Sequence, residues 1–545
     1  MNDTVDANAT ERPLCQPSPV SSADVTLNVV ALSTSSVQPL KPEPPLNGAS
    51  QAPPTSTWQD WPFALLFLVH VFAVFITFCS LGLPLLSSAS STQSTNTTAA
   101  TTEHDGSFTG ANLKTIMGVA MLLALVAAVV AMALLKVAVA HASRVILWSL
   151  QWSIALNVLF AILCAASGLI LMAILFVVFG LLAVCYFCRV RHRIPFAAAN
   201  LQVATSAIKH HWSIFPVAFG LMGVQIVWVF IWAIALVGIV HKKAPPAADG
   251  LGGLGATCMT NSNCQSNLCG PATPSAAAMT CQLHTAPGDA VAYFFMLVSF
   301  YWGVTVVKNV LHVTVAGTVA SWWAAGNASD VTAGAFRRAT TTSFGSICLG
   351  SLLVAVLQAL ETLAREARQQ GDWVACVAEC ILSCARRLLE YVNRWAFVYV
   401  GIYGFKFTHA GKSVFTLFNT RGLSAIVNDD LIGHCLGLVS LSCGLICAIL
   451  GLLYTCVDKT HTAFPDASVL FAVVGLAFGI GVSMIPLGVV DSAVATIFVC
   501  FAEDPAAFAR AHPELHETIV AAWREAYPDV MTAFSPTVPS THSPA

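Results

Sequence analysis

Ten stretches of this 545-residue chain stay apolar for about the 20 residues that a helix needs to cross a bilayer. They are Pro62–Leu83, Leu113–Ala140, Ile146–Ala166, Leu169–Cys188, Ile214–Val240, Val291–Val319, Ser343–Leu363, Trp395–Phe418, Leu431–Cys456 and Val469–Phe501. Inside hydrocarbon the backbone must satisfy its own hydrogen bonds, so stretches of this length fold as α-helices. The eighth is interrupted by Lys406, His409 and Lys412. The last is 33 residues long with Pro486 and Gly488 near its middle, which predicts a kink or a tilt. Composition agrees: 56% of residues are hydrophobic and 10% charged, against about 25% charged in soluble domains. The expected fold is an all-α polytopic membrane protein of about ten transmembrane helices, with the lipid bilayer as its surroundings.

Residues 1–57 are a different material, with nine prolines and much Ser, Thr and Ala, and read as a disordered tail. The densest early basic cluster is Arg189, Arg191, His192, Arg193, Lys209, His210 and His211, which belongs on the cytoplasmic side. Counting from there puts the tail inside and loops 84–112 and 241–288 outside. The transmembrane domain is 58–505, and 506–545 is a cytoplasmic C-terminal tail. The first loop carries the glycosylation acceptor Asn96-Thr97-Thr98. Asn327-Ala328-Ser329 also matches the acceptor pattern, but it falls on the cytoplasmic side and is discounted. Cys258, Cys264, Cys269 and Cys281 lie in the second loop, where thiols are not kept reduced, so two disulfides are expected over a metal site, with three pairings open. Arg365 to Arg394 holds five arginines, with Cys376, Cys380 and Cys384 on one helical face, and reads as an amphipathic helix in the interface. The formal net charge of −2 gives no hint of a nucleic-acid partner.

Polar residues inside spans are costly and usually face a cavity. Gln225, Asn309, Gln358, Glu361 and Asp491 are the candidates. Asp491 is the deepest acid, and a carboxylate at such depth costs about 2.5–3.5 kcal/mol on insertion scales unless paired or protonated. It reads as a counter-charge for a cation or a proton carrier, with a structural pairing to Lys308 as the other reading. No GxSxG, HExxH or Walker-type loop is present, so neither an enzyme nor an ATP-driven pump is expected, and no cofactor.

Four blocks then stand in order along the second half. They are Tyr301-Trp302 with Lys308-Asn309-Val310 and Ala316 to Trp323; Ser343 to Leu352 leading to Gln358; Asn393-Arg394-Trp395-Ala396-Phe397 with Ile402-Tyr403-Gly404 and Gly411-Lys412-Ser413; and Asp491 with Cys500 to Pro505 and Pro513-Glu514-Leu515. In these the chain resembles the choline transporter-like family, in its fungal and protist branch. The resemblance implies about ten spans and movement of choline or a related amine such as ethanolamine, with proton coupling left open.

A quaternary ammonium donates no hydrogen bond, so its site needs aromatic faces and a carboxylate or carbonyls nearby. Trp228, Tyr301, Trp302 and Tyr403 are the aromatic candidates, with Trp322 and Trp323 assigned instead to anchoring at a span end. The candidate substrate site is therefore Asp491, Tyr301, Trp302, Asn309, Gln225, Trp228, Gln358 and Tyr403. The expected function is secondary transport of a choline-like amine at the plasma membrane. A non-transporting membrane scaffold or lipid sensor is the alternative, and oligomeric state is left open.

Overall fold

The structure, a computed structural model, describes residues 57–84, 110–243, 257–264, 269–271, 279–281, 287–325, 331–369, 373–420, 431–457 and 467–528. Nearly all of the N-terminal tail, Asn96 and Asn327 lie outside the described residues. The helices in chain order are α1 (Trp61–Thr77, continued by a π turn Phe78–Gly82), α2 (Gly110–Ala140), α3 (Ala142–Ala166), α4 (Ile170–Val190), α5 (Ile194–His210), α6 (Ile214–Lys243), α7 (Pro287–Ala325), α8 (Val331–Thr340), α9 (Phe344–Gln369), α10 (Trp373–Tyr403), α11 (Phe407–Thr420), α12 (Leu431–Val457), α13 (Ala467–Glu503), α14 (Pro505–Ala511) and α15 (Pro513–Ala526). Among the described residues, nine helical stretches are long and apolar enough to cross a membrane, and they coincide with nine of the ten expected. The protein is an all-α polytopic membrane protein.

The tenth expectation, Trp395–Phe418, is corrected. The helix that contains Trp395 begins at Trp373 and ends at Tyr403, and the chain is non-helical at 404–406 before α11. Gly404 sits at φ 68, a left-handed conformation that ends the helix and costs a glycine nothing. The 31 residues of α10 reach about 46 Å, enough to cross the hydrocarbon core despite five charged side chains. The interfacial helix expected over Arg365 to Arg394 is corrected with it. The segment belongs to two long helices, α9 and α10, separated by residues 370–372. Pro486 lies inside α13, which runs through it for 37 residues.

The chain divides into two compact units. The described part of the first falls within Ala244–Val298 and Ala355–Leu389. Here α9 and α10 are joined by ion pairs: Glu361 with Arg386 at 2.5 Å, and Glu379 with Arg365 at 3.1 Å and Arg368 at 2.6 Å; Glu361 also pairs with Arg365 one turn along α9 at 3.0 Å. The outward side of α10 is apolar and exposed at Trp373, Val377 and Ile381, as suits a helix whose charges point at a neighbour and whose other face meets lipid. Cys380 and Cys384 are exposed on it too. In the polar loop, β1 (Cys269–Pro271) and β2 (Met279–Cys281) form a small antiparallel hairpin. Cys258 meets Cys269, and Cys264 meets Cys281, at Cα separations of 6.0 and 5.4 Å, which is one of the three pairings left open. Three of these sulfurs, from Cys258, Cys264 and Cys281, lie within 4.8 Å of one another, as adjacent pairs require.

The second unit spans Pro54–Lys243, Ser299–Val354 and Glu390–Ala545. Its tightest contact joins α12 to α13 through glycines. A Cβ on Gly475 would strike the Cys447 carbonyl, and one on Gly479 would come within 2.7 Å of the Gly444 Cα. Small residues let helices approach where no hydrophobic effect drives them together. Trp322 and Trp323, expected as interface anchors, are instead 2% exposed. His512 stacks on Trp322 at 4.1 Å, and Phe508 on Trp323 at 4.0 Å. Residues 505–526 thus fold back as α14 and α15, and the Trp523 side chain is fully buried against Phe501 and Phe196.

Candidate functional site

Four helices of the second unit, α7, α9, α10 and α13, meet through their polar side chains. On α7 and α9, Asn309 donates to Ser351 Oγ at 2.8 Å, and Trp302 Nε1 donates to the Cys348 carbonyl at 3.0 Å. On α10, Asn393 donates to the Gly350 carbonyl at 2.8 Å. Asp491 on α13 accepts from Arg394 on α10 at 2.6 Å. The partner weighed for Asp491 on sequence grounds, Lys308, is therefore not the one it takes. Arg394 is one turn before Val398 on a helix whose rim the sequence reading had placed outside a span.

The pair stays partly open, with 31% of the Arg394 side chain and 37% of the Asp491 side chain exposed. Charges at that depth face a bundle interior or a watery cavity in preference to lipid, where each would cost several kcal/mol, roughly 3 on insertion scales. His312 lies beside them. Its Nε2 is 2.9 Å from the Arg394 carbonyl and its Nδ1 is 2.7 Å from Ser492 Oγ. A carbonyl only accepts, so Nε2 carries the hydrogen, and the neutral ring takes the Ser492 hydroxyl hydrogen at Nδ1. Any added proton goes to Nδ1, next to the ion pair. Sequence reading missed His312, because one histidine on an apolar helix carries no signal until its neighbours are known.

The aromatic candidates form two groups. His70 bonds Ser299 Oγ at 2.6 Å, stacks on Trp302 at 5.1 Å and meets Trp228 edgewise at 5.5 Å. Trp302 and Trp228 are buried, and Gly303 leaves the space that the Trp228 indole fills. Tyr301 and Gln225 are half-buried. Tyr403 belongs to the second group, at the Gly404 turn, with Tyr399 at 5.4 Å and Phe405 at 5.1 Å. Gln358 is half-buried in the first unit and is described there by itself.

The turn is held by a residue from before the first helix. Asp60 accepts from Ser346 Oγ at 2.7 Å and from the Phe407 backbone N–H at 3.0 Å, and so caps α11 from a distance. Gly345 packs against the Asp60 backbone with no space for a Cβ.

Long apolar helices that hold a half-open ion pair among polar and aromatic groups define a polytopic membrane protein. A family profile described as "Plasma-membrane choline transporter" matches residues 174–506, more than half of the chain, and the chain belongs to that choline transporter family. Similar proteins include the protein PNS1 of Mycosarcoma maydis, 29% identical over 69% of this chain and 67% of its own, and the pns1 protein of Aspergillus fumigatus, 30% identical over 70% and 69%. A CTL-like protein of Dictyostelium discoideum is 28% identical over 70% of this chain and 62% of its own. The chain thus spans somewhat under two thirds of the Dictyostelium relative's length and about two thirds of the fungal ones.

Proposed function

We propose that this protein is a transporter that carries choline or a related organic ammonium ion across the plasma membrane, with both termini in the cytoplasm. The observation that carries the reading is the half-open Arg394–Asp491 pair. A carboxylate already holding a guanidinium can exchange it for a cation of the cargo, so binding and release need little net change in buried charge. Asn309, Gln225, Tyr301, Trp302 and Trp228 supply the polar and aromatic walls. In this orientation 1–57 and 506–545 are cytoplasmic tails of a 58–505 transporter domain. Asn96 is then glycosylated, and the two cysteine pairs are oxidised outside.

His312 gives a place for proton coupling. A proton at Nδ1 adds positive charge beside Asp491 and opposes a cationic cargo there. A scaffold or lipid sensor gives no reason for a half-open carboxylate at this depth.

The test is saturable uptake into proteoliposomes of labelled choline, ethanolamine and urea. Uptake of the two amines, competed by each other and not by urea, is expected. Equal handling of urea, or no saturable uptake of any of them, would overturn the reading.

A further inference from the structure

At Gly404 the chain reverses, and Phe405 folds back to stack on Tyr403 with ring centroids 5.1 Å apart and planes at 21°. Tyr399 closes a second side, 5.4 Å from Tyr403 and 6.5 Å from Phe405. His409 meets the Phe405 edge at 4.7 Å. The carboxylate of Glu503, at the end of α13, accepts hydrogen bonds from both tyrosine hydroxyls. We propose that this turn is a second cation-binding station, separate from Asp491, that takes small organic ammonium ions methylated on nitrogen.

Three independent features favour a cation here. Aromatic faces attract positive charge within about 6 Å of their centroids. Glu503 adds a formal negative charge, and the C-terminal end of α10 adds the partial negative charge of its last carbonyls. Tyr403 and Phe405 are half-buried and His409 is exposed, so a ligand can reach the rings. Lys406 is exposed beside them and Asp504 follows Glu503, so the neighbouring formal charges of the turn are mixed in sign.

The chemistry also selects the ligand. Glu503 already accepts two phenol hydrogens, so it offers charge more than directional acceptors. A primary ammonium wants its N–H groups bonded; a tetramethylated one does not and loses nothing. The station is distinct in position, because Glu503 lies twelve residues from Asp491 on one helix, about 18 Å. The proposal rests on the cationic cargo proposed above and adds where that cargo first or last rests.

The experiment is equilibrium binding of radiolabelled tetramethylammonium to the full chain in nanodiscs, with methylammonium for comparison. It is done in an Asp491→Asn background, which removes the deeper carboxylate. Binding should persist there. Glu503→Gln keeps an oxygen for the phenols and removes the charge, and Phe405→Leu removes one ring. Each should weaken tetramethylammonium about tenfold or more, and methylammonium should bind more weakly than tetramethylammonium before either change. If Glu503→Gln does not reach the membrane, Phe405→Leu alone decides. Absence of binding in the background, or unchanged affinity in both variants, refutes the station. A wild-type chain that binds tetramethylammonium at this turn but transports no amine would instead refute the transport reading and leave the station standing.

Discussion

Replacing Arg394 with Gln should tighten the apparent affinity for a cationic cargo, not weaken it. In the resting structure the guanidinium is 2.6 Å from Asp491 and must be displaced before another cation can pair there. Two unit charges about 4 Å apart interact by about 4 kcal/mol at an effective dielectric of 20, before solvent screening. Both side chains are about one third open, so the net pairing falls between an exposed bridge, at 0.2–1 kcal/mol, and a buried one broken at one partner, at about 3–5 kcal/mol. A working value of about 1–2 kcal/mol corresponds to roughly 5–30-fold in affinity. Arg394→Gln should therefore lower the KM for choline uptake by about 5–30-fold, and it should lower Vmax because release becomes slow. Asp491→Asn should abolish saturable uptake, and the double variant should behave as Asp491→Asn alone. The assay is initial-rate uptake into proteoliposomes, with surface amount measured in parallel. Asp491→Asn that transports at the wild-type rate at every pH, or Arg394→Gln with a raised KM, would refute the exchange argument.

His312→Gln keeps a donor for the Arg394 carbonyl but cannot take a proton at the position facing Ser492. Uptake by the unmodified protein should fall as external pH is lowered, and the variant's rate should be flatter over the same interval. In a eukaryotic membrane system Asn96→Gln should abolish a glycosylation gel shift that Asn327→Gln leaves intact; the opposite pattern reverses the orientation. Cys258, Cys264, Cys269 and Cys281 should resist a membrane-impermeant maleimide until reductant is added, whereas immediate labelling of all four would rule out the pairing. Gly475→Leu must push α12 and α13 apart and should lower stability by about 1–3 kcal/mol in a thermal-melting assay, with an unchanged melt showing that the helices do not pack as described.

Much of this protein was legible in one dimension because the bilayer imposes it. Length and apolarity located the nine described helices long and apolar enough to cross a membrane, though not all of their ends, since hydrocarbon leaves the backbone no other choice. The family likeness was carried by residues that tertiary contacts later join: Asn309, Arg394, Asp491 and the Glu503-Asp504-Pro505 run. Depth along a helix likewise singled out Asp491, because burying a carboxylate is expensive wherever it points. What depth cannot supply is direction. Whether Asp491 meets Lys308 or Arg394 depends on how two helices turn about their axes, and both lysine and arginine lie within reach by length alone. The α10 helix was misread for a related reason. Its charges lower the local apolarity below that of a span, and only the facing residues Glu361 on α9 and Asp491 on α13 show that they are spent on neighbours instead of water. His312 and Asp60, and the partners of Glu503, became visible only in three dimensions, because each residue acts on groups between about eighty and nearly three hundred and fifty residues away. Sequence determined that this chain lives in a membrane and which polar residues pay to be there; tertiary packing alone decided which of them meet.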